Sequence, residues 1–344
     1  MIKLIGLILA FAGGGIQGAF FFPMKYMRNW RWENGWFLFS VVACFILPVL
    51  LALVTTPGLF EIYEIIGLKI IGLVFFFGLC WGVGALLFGL GADYLGMALG
   101  IAIITGINVC LGALLPALFL PSGQFSTISG IMLGTGLLFM VSGVVVISIA
   151  GWRRDKEQKV LADDKSSKTH RSFKLGLIIC IAAGIFVPAA NFAVFFGQPI
   201  TELVQTSGSV AAYNIGHAQM LPFYLGGGIV NILYCFKLFR RHGSFALYRG
   251  SGFRRNALLA TIMSLLFVFG MVIYVIAVAL FIPDLGPVIG WPVFLAATIL
   301  ISNLLGVVSG EWKKVHKRTY TWLYFGVFLL LISVFLTSMS SLYS

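Results

Sequence analysis

The chain has 344 residues, of which 60% are hydrophobic and 10% charged, with a mean hydropathy of +1.03 and a formal net charge of +12. Too little polar surface remains to cover a water-facing globule, which excludes a soluble two- or three-domain protein. The basic excess is no nucleic-acid surface either, because it is confined to short segments between long apolar runs.

Ten apolar runs follow in chain order, near 2–22, 35–55, 69–91, 94–118, 128–150, 174–196, 212–236, 257–281, 287–310 and 320–340. Each is about 20 residues long, enough to cross roughly 30 Å of hydrocarbon as a helix. The runs are continuously apolar rather than alternating, so helices are expected and barrel strands are not. The expected fold is an all-α integral membrane protein of ten transmembrane helices. The first run follows Lys3 as a signal peptide might. It continues into Phe20, Phe21 and Phe22 without a small-residue cleavage site, so it reads as a retained span.

Charge placement sets the orientation. The loops after runs one, five, seven and nine hold 21 of the 23 Lys and Arg residues, and all four loops fall on one side. The positive-inside rule makes that side cytoplasmic and both termini periplasmic, in a bacterial inner membrane. In the first of these loops, "FFFPMKYMRNWRWENGW" (20–36), the tryptophans Trp30, Trp32 and Trp36 suit the headgroup layer of the lipid bilayer.

The polar segment 151–174 divides the runs five and five and reads as a solvated linker. The expected division is 1–150, a linker over 151–173, and 174–344. An odd number of spans per half makes the second half enter the membrane from the other side, so homologous halves would be inverted repeats. "YLGMALG" (94–100) and "DLGPVIG" (284–290) share a Leu-Gly-x-x-x-Gly pattern, and "GGGIQGAFFFP" and "AAGIFVP" recur in runs one and six. Small-residue spacing of this kind also arises from close helix packing alone.

No GxSxG, HExxH or P-loop occurs, and neither a metal-ligand set nor a cofactor motif is present, so an enzyme is not expected. The five cysteines fall inside spans without paired spacing and read as packing residues. What remains are uncharged polar and aromatic groups at membrane depth. Gln17, Asn108, Asn191, Asn231 and Asn303 are the buried amides, each of which needs a partner or a wet cavity. Gln17 with Asn191, and Asn108 with Asn303, take comparable places in the two halves. We therefore expect these four to line one central solute cavity; the plainer reading of each is helix–helix glue. Trp81 and Trp291 are candidate stacking platforms for a sugar ring, or else packing residues. For proton coupling the candidates are His217, beside Pro222, and Glu202 in an outer segment; an interfacial loop histidine is the plainer alternative.

The order of landmarks also resembles a known family. "FFFPMKYMRNWRWE", "CWGVGALLFGLGADYLGMALGIAIITGINVCLGALLPAL" (80–118), "GQPITE" (197–202), "GGGIVN" (226–231) and "GEWKK" (310–314) resemble, at similar spacing, the L-rhamnose–proton symporter family of the drug/metabolite transporter superfamily. The resemblance spans nearly the whole chain and implies ten helices in two inverted five-helix repeats. It implies uptake of a deoxy-hexose, L-rhamnose or a related monosaccharide, with a proton. Segments 211–219 and 281–292 depart from the family's pattern and are candidates to line the solute's route. Two rivals stand beside this reading: an exporter of amphipathic metabolites, and a membrane-embedded enzyme or sensor. Nothing in the sequence sets an oligomeric state.

Overall fold

A computed structural model describes residues 2–95, 97–117, 127–161, 173–208, 210–211, 214–280, 286–313 and 315–342. Among these residues there are α-helices and short helical turns and no strands. The helices are α1 (Ile2–Ala19), α2 (Trp32–Val41), α3 (Leu47–Thr55), α4 (Leu59–Ile66), α5 (Leu68–Leu95), α6 (Met97–Ala117) and α7 (Ile128–Leu161). They continue as α8 (Phe173–Phe186), α9 (Ala189–Phe196), α10 (Gln198–Thr206), α11 (Gly216–His242), α12 (Phe253–Ala279), α13 (Gly286–Val308) and α14 (Lys317–Leu342). Among the described residues, nine helical stretches are long and apolar enough to cross a membrane, and α6 adds a shorter apolar stretch, Ile103–Ala113. The chain is a multi-pass membrane protein. Residues 162–172 and 281–285, Gly96, Ala212 and Tyr213 lie outside the described residues, and with them much of the linker, part of the repeated Leu-Gly pattern and parts of both divergent segments.

Helix ends differ from the apolar runs for local reasons. Pro188 cannot continue α8, and the chain resumes as α9 one residue later. The second run is one continuous path in which a π-turn over Val42–Ile46 joins α2 to α3, just before Pro48. The short helices α4 and α10 lie where loops are expected. Each buries one apolar edge (Leu59 and Ile62 in α4, Ile200 and Val204 in α10) while Glu61, Glu202 and Gln205 stay in the open. Gly58 and Gly67, at φ of 70° and 81°, turn the chain at the two ends of α4.

α7 corrects the reading of the linker, because it runs eleven residues past the apolar segment to Leu161. The reason is that its charges find partners. The Arg153 guanidinium lies 4.8 Å from the Trp322 ring and Arg154 lies 5.2 Å from Trp312. The Glu157 carboxylate accepts from Thr319 Oγ1 at 2.6 Å and from the His316 N–H at 2.8 Å.

All four basic loops meet at one end of the bundle. Lys25 pairs with Glu311, which also receives Arg154 at 3.1 Å, while Arg28 and Asn256 bond reciprocally through backbone and amide. The buried Glu33 accepts from Ser244 Oγ at 2.6 Å and sits 2.9 Å from His242 Nδ1. Trp36 departs from the expected headgroup position: it is buried, and its Nε1 donates to Asn231 Oδ1 at 2.8 Å. Asn231 is thus helix–helix glue.

In the bundle, α1 packs along α12 and α13, and α8 packs along α5 and α6. α5 lies against α11, α6 against α13, and α7 along α14. Small residues set these distances. A methyl group on Gly14 would stand 2.1 Å from the Phe294 carbonyl oxygen, and one on Gly78 the same distance from that of Phe223. Backbones this close leave no room for any side chain, which is how helices gain contact in lipid.

Candidate functional site

Several polar groups of the membrane interior lie along the seam between α6 and α13. Thr105, Asn108 and Gly112 follow one another on α6 at intervals of three and four, so they share a face. On α13 the buried Trp291 lies over Gly112, where an added methyl would stand 2.2 Å from the indole nitrogen. The ring is held by stacking on Phe294, at 5.5 Å between centroids, and by the edge of Tyr274 at 5.6 Å. Trp291 Nε1, a donor, and Asn108 Oδ1, an acceptor, are both buried without a hydrogen-bond partner. A buried polar atom left unpaired costs about 1–3 kcal/mol, so two at one seam call for an explanation.

Asn191 closes the seam at the end away from the basic loops. Pro116 has no N–H, so the Gly112 carbonyl one turn earlier in α6 loses its helical partner. Asn191 Nδ2 fills that place at 2.6 Å and also donates to the Pro287 carbonyl at 3.1 Å, while the Tyr274 hydroxyl donates to Asn191 Oδ1. Four helices, α6, α9, α12 and α13, are tied here by one side chain.

Toward the basic end the seam opens into a cleft of about 220 Å³ whose lining includes Thr105, Ser148, Ser302, Asn303 and Trp312. Asn303 Nδ2 donates to the Ile299 carbonyl at 2.8 Å. Arg154, Asp155 and Glu311 also border the cleft.

The four amides expected around one cavity are therefore separated. Asn303 faces the cleft, Asn108 is buried at mid-seam, and Asn191 is saturated in the closed end. Gln17 lies between α1 and α12, its Oε1 buried without a partner and directed at Gly270. Trp81 packs at 5.4 Å from Phe223 and 5.2 Å from Phe267, in an aromatic cluster apart from Trp291.

His217 and Glu202 are separate as well. His217 is buried, and its Nδ1 lies 2.8 Å from Thr55 Oγ1. The Thr55 hydroxyl also lies 2.6 Å from the Leu51 carbonyl, so one hydroxyl bridges the ring and the backbone of α3. The other ring nitrogen, Nε2, is buried without a partner. Nearby, Pro222 frees the Ala218 carbonyl, and the Tyr63 hydroxyl caps it at 2.7 Å. Glu202 is exposed and lines a small cleft of about 70 Å³ with Gln198, Gln205 and Gln219.

Tyr63, Tyr274, Glu311 and Trp312 were missed from the sequence. Pro116 and Pro222 signal that two carbonyls need outside donors, but no spacing rule names a donor on another helix.

An all-helical, multi-pass bundle with a polar seam through its interior is the class of protein these features define. A family model described as L-rhamnose-proton symport protein (RhaT) matches residues 2–341, and the chain belongs to that family. It is 27% identical to an L-rhamnose-proton symporter of Escherichia coli over 343 residues, 96% of this chain and 95% of the relative. The L-rhamnose-proton symporter of Pectobacterium atrosepticum is 27% identical over 344 residues, 96% of each chain. That of Citrobacter koseri is 27% identical over 349 residues, 97% of each chain.

Proposed function

We propose that this protein takes up L-rhamnose or a closely related monosaccharide together with a proton, by alternating access across the bacterial inner membrane. The family match favours this over the exporter reading and over an enzyme. The observation that carries the site is the α6–α13 seam, where an unpaired donor (Trp291) and an unpaired acceptor (Asn108) are buried, with Asn303 at the open end. A sugar hydroxyl donates and accepts at once and so answers both. Gln17, between α1 and α12, and Trp81, packed on Phe223 and Phe267, lie outside this seam, and Asn191 acts by holding its far end shut.

The bundle is read as ten spans in two inverted five-helix halves, over 1–150 and 174–344 with a linker at 151–173. α6, fourth in chain order, brings the nine long apolar stretches to ten. Exchanging each helix for its counterpart turns the α1 contacts with α12 and α13 into the α8 contacts with α5 and α6, and it maps α7–α14 and α6–α13 onto themselves. This exchange supports the repeat, which places the seam on the axis relating the halves. The basic end is cytoplasmic and both termini are periplasmic.

For the proton, His217 is the carrier, near the periplasmic end, with Glu202 at the outer rim. An ionisable group of this kind biases the two-state equilibrium only if its affinity for the proton differs between the states. The test is uptake by proteoliposomes across a sugar panel, read beside external alkalinisation. Rhamnose accumulation with proton entry is expected, and His217→Gln should keep sugar exchange while losing both accumulation and the pH change. Exchange without any proton movement in the parent would overturn the coupling; no response to rhamnose would overturn the cargo.

A further inference from the structure

The cleft at the basic end has a feature that the central seam does not explain. Trp312, in the turn after α13, is 1% exposed, yet its indole N–H has no hydrogen-bond partner. It borders the cleft, and so does Gly306, whose added methyl would stand 3.5 Å from that nitrogen. The ring cannot swing away to find water, because the Arg154 guanidinium lies 5.2 Å from it and the Tyr320 ring 5.7 Å. A donor is therefore fixed beside the cleft with no protein acceptor in hydrogen-bond reach.

The rest of the lining says what kind of acceptor would suit. Thr105, Ser148 and Ser302 bring hydroxyls, and Asn303, whose Nδ2 is spent on Ile299, brings an amide oxygen. The charges at the rim are matched among themselves: Arg154 with Asp155 at 2.8 Å and with Glu311 at 3.1 Å, and Glu311 with Lys25. An anionic or cationic solute would have to break these pairs to gain a partner, whereas a neutral one meets only hydroxyls, an amide and an N–H. At about 220 Å³ the space lies below the roughly 300 Å³ at which drug-sized sites begin, and so suits a single small ring.

We propose that this cleft is an exit-side station for a neutral polyhydroxylated solute, a monosaccharide, in which the Trp312 N–H donates to a sugar oxygen and Asn303 accepts from a sugar hydroxyl. The station is the basic end of the same seam, beyond the Asn108–Trp291 region, and rests on the monosaccharide reading given above. The solute passes from the Asn108–Trp291 region down the same face of α6 to Thr105 and is held there before release. Trp312 thereby sets the affinity of the cytoplasmic side for the solute, independently of the periplasmic side.

The test uses the full chain in proteoliposomes of known orientation and in detergent. Trp312→Phe keeps an aromatic ring but removes the N–H. Its half-saturating sugar concentration for entry from the basic side should rise about five- to tenfold, the worth of one hydrogen bond, with entry from the opposite side nearly unchanged. As a second measurement that does not depend on that variant's folding, sugar should slow maleimide modification of Ser302→Cys from the basic side, over the background of the native cysteines. An unchanged basic-side half-saturation in a folded Trp312→Phe protein, or no protection of Ser302→Cys by a sugar that the parent transports, overturns the station. If rhamnose fails but another monosaccharide raises the parent's melting temperature, the cargo reading fails and the station is tested with that sugar. If no neutral monosaccharide does so, both fail.

Discussion

The two ends of the α6–α13 seam are built from different chemistry. Away from the basic loops, closure is made by buried, neutral hydrogen bonds around Asn191 and by Trp291 lying on Gly112. At the basic end a cleft remains, and what crosses its rim is a set of ion pairs among Lys25, Arg154 and Glu311. Buried neutral bonds in a dry seam are costly to break one-sidedly, whereas half-exposed ion pairs are screened and weak. The difference teaches that the two ends of the seam are held with unequal strength, the strongly held end closed and the weakly held end ajar.

The largest effect that can break this comparison comes from Asn191→Leu. It strips partners from the Gly112 carbonyl, the Pro287 carbonyl and the Tyr274 hydroxyl together. At about 1–3 kcal/mol for each buried group left unpaired, the loss is at least about 3 kcal/mol, read as a large fall in melting temperature and poor yield. Asn303→Leu, at the open end, should cost under about 1 kcal/mol, because its amide bonds only to its own helix. Equal losses at the two positions would show that the seam's ends do not differ as described.

A smaller effect is expected from Tyr274→Phe, which removes one donor and leaves the Asn191 carbonyl oxygen bare. The shut state should lose about 1 kcal/mol, a roughly fivefold shift in the equilibrium between the two gates. A cysteine placed at Ala279, beside the small cleft on that side, should react faster with an impermeant maleimide added from outside. The same reagent checks orientation: Thr206→Cys should react in intact cells and Ala246→Cys should not.

How much of this was legible follows from where each signal resides. Apolar length and cation placement are properties of the chain itself, so the membrane-spanning helices and the common face of the four basic loops could be read directly. Helix ends were displaced where tertiary partners intervened, as where Trp312 and Trp322 extend α7 through Arg154 and Arg153. The polar residues were correctly singled out as unusual, but their grouping was not readable. Gln17 with Asn191, and Asn108 with Asn303, take comparable places in the two halves, yet packing leaves Gln17 between α1 and α12, Asn191 in the closed end of the seam and Asn303 at the open cleft. Partnering across helices also decided that Trp36 is buried on Asn231 rather than set among headgroups. Trp312 was visible only as part of "GEWKK", because an unpaired N–H is a fact of packing and leaves no trace in spacing.

The smallest effect, and the sharpest probe of the weak gate, is Glu311→Gln. The Glu311 side chain is 37% exposed, and water and salt already screen its pairs with Lys25 and Arg154. Stability should therefore change by less than about 1 kcal/mol. Transport should respond more distinctly than stability, because the same carboxylate joins the first loop, α7 and the turn after α13 at the rim of the cleft. Without it the rim opens more readily, so release on the basic side should quicken by about two- to threefold, within the small energy such pairs supply. The parent's release rate should rise with ionic strength as screening loosens the rim, with a Debye length near 8 Å at physiological salt. Glu311→Gln should have lost that dependence. A parent rate flat in salt, or a variant that keeps the parent's salt dependence, would place the gate elsewhere and remove the asymmetry between the two ends of the seam.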